Sequence, residues 1–206
     1  MIKILLLILV PYLLSGCAVF HKSPSAVSVY DFGLQQLAHN RSQQSHQPRK
    51  SILIADAIVP SWLDNTAIHY RLLYHNPSQS YRYANSRWIA PPAAILTQQI
   101  RDRIVTHTNE QVIKNSSTAK TDYILHIELE EFIQAFDTEK DSHVVVGLRA
   151  SLIERNSRNL FAQKDFSIKE KTPTADAAGA VFALGSASHQ LINELVGWLT
   201  TELPPY

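Results

Sequence analysis

One cysteine stands in a setting that directs chemistry to its thiol. Lys3 and a mostly apolar run over residues 4–14 lead into Leu14-Ser15-Gly16-Cys17. The run suits the apolar core of an export signal, and it is too short to cross a hydrocarbon layer of about 30 Å. Small residues let the backbone enter a peptidase in extended form, and the following thiol takes the lipid. The stretch resembles a lipobox, which predicts a signal peptide over residues 1–16 and a lipidated Cys17. The other interpretation is an ordinary secretory signal beside a stray cysteine.

The nine histidines do not form a metal-binding pattern. None pairs at the His-x-x-x-His spacing that places two ligands on one helix face. His69 and His75 fall on neighbouring strand segments, with Asp64 as the only carboxylate near them in sequence. His126-Ile127-Glu128 resembles a fragment of the zinc deaminase motif, but the two cysteines which that site requires are absent. The sequence therefore predicts no metal and no cofactor.

The search for a catalytic nucleophile gives no better match. Once Cys17 carries lipid, no thiol remains, which excludes disulfides and cysteine nucleophiles within one chain. The stretch closest to Gly-x-Ser-x-Gly is Gly185-Ser186-Ala187-Ser188, which lacks the second glycine and suits close helix packing. Glu128, Glu130 and Glu131 form an acidic cluster that is typical of a solvated strand face. We therefore predict that the protein is not an enzyme.

Aromatic and cationic residues alternate in one stretch of the chain. It contains Tyr70, Arg71, Tyr74, Tyr81, Arg82, Tyr83, Arg87 and Trp88. Stacked rings with cationic neighbours could form a docking surface, and the candidate partner-binding residues are Tyr70, Tyr74, Tyr81, Tyr83 and Arg82. Cross-strand aromatic pairing inside a sheet explains the same pattern without a partner. Trp88, just before Pro91-Pro92, is better interpreted as a core residue at the start of a helix.

Composition describes a single globular domain on a short tether. Lys3 is one of 19 basic residues, so the chain from Cys17 onward has as many basic as acidic residues and is formally neutral. Neutrality without a basic run argues against a nucleic-acid partner and against an anionic-lipid surface site. Residues 18–26 are rich in Ser, Pro and His. We expect a lipidated tether over residues 17–26 and one domain over residues 27–206.

Apolar periodicity predicts an α+β domain. Strands are expected at 27–33, 51–59, 67–74, 80–84, 122–136, 142–154 and 160–170, with a turn at 75–78 and polar loops at 35–50 and 115–121. The last three strands alternate apolar and polar residues, as in an antiparallel sheet with one wet face. The expected architecture has two layers, with a mainly antiparallel or mixed sheet and two helices packed on one face.

Two apolar stripes at helical spacing predict those helices. The first begins at Pro91-Pro92, carries Leu96, Ile100 and Ile104, and ends near His107. The second is expected to begin with Thr172 as N-cap and Pro173 at the first helical position, and to end before Pro204. Its predicted apolar positions are Val181, Phe182, Leu184, Leu191, Ile192, Leu195, Val196, Trp198 and Leu199.

Taken together, these motifs resemble those of a known family. They are Cys17, Tyr30-Asp31-Phe32-Gly33, the strand ending near residues 59–63, the strand pair over 67–84, Trp88 with Pro92, and Asp122-Tyr123-Ile124-Leu125. This pattern is similar to the ABC-type transport auxiliary lipoproteins, the Pqi-type "C" lipoproteins. The resemblance covers nearly all of the chain after Cys17. It assigns no motif to the loop over residues 35–50 and no catalytic residue.

The resemblance implies a non-enzymatic envelope component. It would be the outer-membrane partner of an MCE-type intermembrane lipid transport system, docking an MCE-domain periplasmic protein at the periplasmic face of that membrane. Ala18, rather than Asp, follows the lipidated cysteine, which resembles an outer-membrane sorting signal. Self-association into a ring is compatible with a docking cap.

Two further functions stay open. One is an envelope assembly lipoprotein that serves another export or secretion machine. The other is a periplasmic lipid-binding carrier, which would require an apolar cavity.

Overall fold

The computed structural model describes residues 26–33, 50–108, 110–114 and 119–203. Along these residues the elements are β1 (Ser28–Tyr30), β2 (Ser51–Ile54), β3 (Ala67–Leu72), β4 (Asn76–Trp88), α1 (Pro92–His107), β5 (Gln111–Lys114), β6 (Tyr123–Phe136), β7 (Ser142–Glu154), β8 (Leu160–Lys171) and α2 (Ala177–Glu202). The strands form one mixed sheet. The predicted α+β class is confirmed.

The long strand β6 lies at the centre of the sheet and pairs on both edges. One edge pairs antiparallel with β7, and β7 pairs antiparallel with β8. The other edge pairs in parallel with two shorter strands, with β2 at the start of β6 and with β3 at its end. β5 extends the sheet beyond β2, whereas β4 and then β1 extend it beyond β3. The β3–β4 hairpin is thereby held at one end of the domain.

One face of the sheet is covered by the two helices. α2 packs against β6, β7 and β8, while α1 packs against α2 and β5. The residues predicted to face the core on β6 and β7 are buried, namely Tyr123, Leu125, Ile127, Leu129, Val144, Val146, Leu148, Ala150 and Leu152. Leu96, Ile100 and Ile104 of α1 are fully buried as well. Trp88 is buried beside Phe32, as expected of a core residue.

A β-bulge in the middle of β6 changes which side chains face the helices. The register shifts between Leu129 and Glu131. Beyond the shift, Phe132 and Gln134 pair with Val146 and Val144, which are core residues of β7. The bulge therefore turns the amide of Gln134 into the apolar layer, where it is fully buried.

The start of α2 differs from the prediction. Asp176 is the N-cap, and its side chain accepts a 2.8 Å hydrogen bond from the backbone N–H of Gly179. Thr172 instead prolongs the sheet, because its backbone N–H donates to the carbonyl of Ser142. The predicted cap at Thr172 and Pro173 is wrong because sheet pairing holds Thr172. Phe182, predicted on the apolar stripe, is 67% exposed.

The strands before α1 and β5 were predicted less well. The predicted turn at 75–78 is wrong, since β4 begins at Asn76 and the turn occupies residues 73–75. The predicted strand over 51–59 ends at Ile54, and only an isolated bridge joins Ile58 to Glu128. β5 was not predicted. Residues 34–49 and 115–118, which make up most of the two predicted polar loops, lie outside the described residues.

Candidate docking surface

Three tyrosines of the β3–β4 hairpin stack on the face of the sheet that carries the helices. Tyr70 and Tyr81 lie opposite each other in the register, with ring centroids 5.3 Å apart and planes inclined by 17°. Tyr83 follows on the same face of β4, 4.7 Å from Tyr70. Phe136 meets the edge of Tyr70 at 5.6 Å. Tyr70, Tyr81 and Tyr83, here called the tyrosine stack, thus form the cross-strand pairing that the sequence allowed.

Hydrogen bonds fix the inner end of the tyrosine stack. The hydroxyl of Tyr83 donates to Oε1 of Gln134 at 2.7 Å, and Nε2 of Gln134 donates to Oγ of Ser142 at 2.8 Å. Oγ of Ser142 lies 2.6 Å from Oγ1 of Thr172. Burial, with smaller effects of Tyr70 and Asp176, raises the pKa of Tyr83 far above its usual value. The Tyr83 phenol therefore stays neutral and keeps its proton for this hydrogen bond. All three tyrosines of the stack are partly exposed.

The other two candidate residues lie apart from the stack. Tyr74 lies in the turn after β3 and is 47% exposed. Arg82 lies opposite His69 in the register, so its side chain is on the other face of the hairpin from Tyr81 and Tyr83. The structure thus brings three of the five candidates into one group and leaves their partner-binding role a prediction.

The other face of the hairpin carries a pocket that the sequence analysis missed. Its lining consists of Trp62, Asn65, His69, Arg71, Ser80 and Arg82, and its volume is about 420 Å³. We call it the arginine pocket. Period-2 alternation could have revealed it, because odd residues of β3 and even residues of β4 share this face. The contribution of Trp62, from the preceding loop, has no local signal in the sequence.

An apolar groove lies beside the first strand. It is open, has a volume of about 680 Å³, and includes the exposed side chains of Val29, Ile89 and Phe182. Gly185 of α2 also lines it, and a Cβ there would lie 3.2 Å from the carbonyl oxygen of Phe32. The small residue in the Gly-Ser-Ala-Ser stretch therefore allows close contact between helix and chain, as the sequence analysis inferred.

A chemically suggestive trio does not converge in space. Nδ1 of His143 lies 2.7 Å from Oδ2 of Asp137, and Ser142 precedes His143 on β7. Consecutive strand residues point to opposite faces, so the hydroxyl of Ser142 is directed away from the imidazole. Across the described ranges, no group of three His, Cys, Asp or Glu side chains could hold a metal ion.

Two observations bear on how the chain could associate with a membrane. Cys17, with the signal peptide and most of the tether, lies outside the described residues. Among the helices that the structure describes, none is both long and apolar enough to cross a membrane.

The sequence matches a family of envelope proteins. The family described as "ABC-type transport auxiliary lipoprotein component" matches residues 32–196, which include every element from β2 to β8 and most of α2. The uncharacterized protein bll6063 of Bradyrhizobium diazoefficiens is 24% identical over 163 residues, covering 77% of this chain and 43% of that protein. The chain thus spans less than half the length of this curated relative.

Solved structures share the fold. Protein XCC0632 from Xanthomonas campestris, described as a member of family DUF330, superposes with a TM-score of 0.67 at 21% identity, covering 76% of this chain and 86% of that chain. The hypothetical protein CT253 from Chlamydia trachomatis gives a TM-score of 0.51 at 9% identity, covering 74% and 96%. At these identities the likeness concerns the fold alone.

Proposed function

The chain belongs to the ABC-type transport auxiliary lipoprotein family, and from this premise we propose that it is the non-enzymatic docking component of an MCE-type intermembrane lipid transport system. Membership makes it an envelope-associated lipoprotein of an ABC-type transport system. The proposal adds an outer-membrane location at the periplasmic face and an MCE-domain protein as the partner. The domain over residues 27–206 would hold the far end of that periplasmic assembly.

The anchor in this proposal is lipid on Cys17. Each buried CH₂ of an acyl chain contributes roughly 0.8 kcal/mol, so several chains on one cysteine make release rare. The tether over residues 17–26 would give the domain a short reach from the membrane surface. Ala18 after the cysteine favours the outer membrane as the destination.

The observation that carries the docking role is the tyrosine stack. Its rings are held by mutual stacking and by the Tyr83–Gln134 hydrogen bond, and each of the three tyrosines stays partly exposed. Rigid aromatic side chains bind partners with little loss of conformational entropy, and such residues are enriched at the centres of interfaces. The proposed docking surface consists of the tyrosine stack and Tyr74. A partner that also reaches Arg82 contacts the hairpin from both faces.

Photo-crosslinking in cells tests this proposal. A photoreactive phenylalanine analogue is placed at Tyr74, and the adduct is identified by mass spectrometry. Phe161 is the matched control, because its exposure of 46% is close to the 47% of Tyr74, while its ring lies beside Tyr123 at the opposite end of β6. The expected result is an adduct with an MCE-domain protein from position 74 and none from position 161. A secretin or an outer-membrane β-barrel as the adduct would contradict the proposal and favour another envelope machine.

A second candidate, the lipid-binding carrier, is favoured by the apolar groove. Val29, Ile89 and Phe182 expose enough apolar surface to shelter part of an acyl chain. The groove is open rather than enclosed, which suits transient contact better than carriage of a whole lipid. Native mass spectrometry after release from detergent separates the two functions. A carrier retains a bound lipid, and Phe182→Ser abolishes this retention. A docking component retains no lipid.

A further inference from the structure

The arginine pocket holds two cations close together, and no described residue provides a counter-charge. Arg71 lies opposite Ser80, and Arg82 lies opposite His69, in the antiparallel pairing of β3 and β4. The two arginines are therefore diagonal neighbours on one face, about 7–8 Å apart at the backbone, within reach of each other's long side chains. Two guanidinium groups placed in this way repel each other unless an anion lies between them.

Neither guanidinium has a carboxylate partner within the described part of the chain. Arg101 pairs with Asp56 and Arg149 with Asp165, whereas no ion pair forms at Arg71 or Arg82. Nε of Arg71 is buried and has no hydrogen-bond acceptor among the residues that the structure describes. A buried donor without an acceptor is costly, so the Arg71 guanidinium is available to an acceptor that the described residues do not supply.

The other lining residues of the arginine pocket are uncharged. His69 is 6% exposed, and its Nε2 lies 3.3 Å from Oδ1 of Asn65. Burial and the charge of Arg82 lower the pKa of His69, so the imidazole is neutral and the positive charge of the pocket belongs to the arginines. The ring of Trp62 meets that of His69 edge-on at 5.5 Å and forms a wall that is 38% exposed.

We propose that the arginine pocket binds a phosphate group, held by the guanidinium groups of Arg71 and Arg82 and by the hydroxyl of Ser80. Guanidinium presents planar pairs of donors that match oxyanions in a bidentate manner. Two such groups with a hydroxyl beside them on the same face suit a tetrahedral oxyanion, which accepts from several directions, better than a planar carboxylate. The aromatic wall at Trp62 suits a ligand with an apolar part beside its phosphate, such as a phospholipid, and the pocket also admits free phosphate. The proposal does not rest on the docking role, although Arg82 is common to the arginine pocket and to the candidate partner-binding residues.

Fluorescence of the full lipidated protein in neutral dodecyl maltoside micelles tests the binding. Trp88 and Trp198 are buried, so a change in emission on adding ligand reports on Trp62. Inorganic phosphate is added at constant ionic strength, and calorimetry gives the affinity independently. The expected result is saturable binding that Arg82→Gln weakens by about tenfold or more, as loss of a charged hydrogen-bond donor does. Arg87→Gln is the matched control, since Arg87 is an exposed arginine of the same strand outside the pocket.

A second arm identifies the source of the phosphate. The titration is repeated in micelles that contain phosphatidylglycerol. Competition with inorganic phosphate assigns the site to a lipid headgroup, and undiminished phosphate binding assigns it to a free oxyanion. Arg71→Gln is measured in the same way as Arg82→Gln, and thermal unfolding shows whether each variant is folded. If Arg71→Gln does not fold, the result with Arg82→Gln alone tests the proposal, because Arg82 is exposed. The proposal is overturned when neither ligand binds saturably, or when Arg82→Gln and Arg87→Gln bind as the parent protein does.

Discussion

The hydroxyl of Tyr83 donates a 2.7 Å hydrogen bond to Oε1 of Gln134, a residue 51 positions further along the chain. The bond crosses from β4 to β6 over the intervening strand β3, where Tyr70 lies level with Gln134. The bond therefore links β4, the outer strand of the hairpin, to β6, the central strand of the sheet. The tyrosine stack and the buried Gln134–Ser142 pair are in this way parts of one rigid unit.

Removing the Tyr83 hydroxyl tests this link. Tyr83→Phe keeps the ring and leaves Oε1 of Gln134 buried without a donor, so we expect the free energy of unfolding to fall by about 1–3 kcal/mol. Tyr74→Phe is the control, because Tyr74 is exposed in a turn, and its effect should stay within about 0.5 kcal/mol. Urea denaturation measures both. Equal stability of the Tyr83→Phe variant and the parent protein would show that Gln134 finds another donor.

The elements with regular apolar alternation were predictable, and β7 was predicted with both of its bounds. The bulge in β6 left a trace in the sequence, since the consecutive acidic residues Glu130 and Glu131 break the alternation and the apolar phase resumes at Phe132. Asn76 and Pro77 have turn composition, yet they begin β4. Among the described residues, β1 pairs only with residues 86–88 of β4, so Pro77 lies on a stretch of β4 that is paired on one side, where Pro is tolerated. The hairpin turn before it contains neither Gly nor Pro.

The functional surfaces were predicted only as far as residue type and strand alternation define them. Residue types identified the aromatic stretch, and alternation was sufficient to separate Arg82 from Tyr81 and Tyr83. What alternation could not show is that Trp62 returns from a loop to the face of His69, or that Gln134 reaches Tyr83. Both contacts depend on strand order and on the bulge, which are tertiary properties.

Two glycines of α2 should respond to alanine with opposite signs. A methyl group at Gly179 would overlap the carbonyl oxygen of Thr174, so Gly179→Ala is expected to destabilise the protein by about 1–3 kcal/mol. Gly197 is exposed and has open space where a Cβ would lie. Gly197→Ala should therefore stabilise the helix by about 0.5–1 kcal/mol. Thermal or urea unfolding compares the two, and destabilisation by both would show that the surroundings of Gly197 are closer than the structure indicates.

The N-cap of α2 should make stability depend on pH. Hydrogen bonds from the backbone N–H of Gly179 and the hydroxyl of Thr174 hold the pKa of Asp176 below its usual value. A lowered folded-state pKa contributes stability that is complete above the unfolded-state pKa of about 3.9 and is lost as the pH falls through the folded-state pKa. Asp176→Asn keeps a good cap without this titration.

The parent protein should therefore lose stability relative to Asp176→Asn as the pH is lowered below about 4. Asp122 and Asp165, whose pKa values are also lowered, are common to both proteins and cancel in the comparison. Urea unfolding across the acid range supplies the two profiles. Parallel profiles would show that the Asp176 carboxylate has the same pKa in the folded and unfolded chains.

Lipidation of Cys17 predicts a simple biochemical result. Cells that express the parent chain and are fed labelled palmitate should yield a labelled protein in the outer-membrane fraction. Cys17→Ser removes the single thiol of the chain, so both the label and the membrane association should be lost. A Cys17→Ser protein that remains with the membrane would show that another part of the chain anchors it.

If the proposed docking surface is correct, partner capture depends more on the ring of Tyr74 than on the ring of Phe161, which is nearly as exposed. Tyr74→Ala should weaken capture of the MCE-domain partner by about tenfold or more, because an aromatic hot-spot side chain in an interface contributes at least about 2 kcal/mol. Phe161→Ala removes a ring of nearly equal exposure at the opposite end of β6 and should leave capture unchanged. Neither side chain is buried in the core, so both variants should unfold at the parent temperature. Quantitative co-purification of the full lipidated chain gives the comparison, and equal losses in the two variants would place the partner somewhere other than the proposed docking surface.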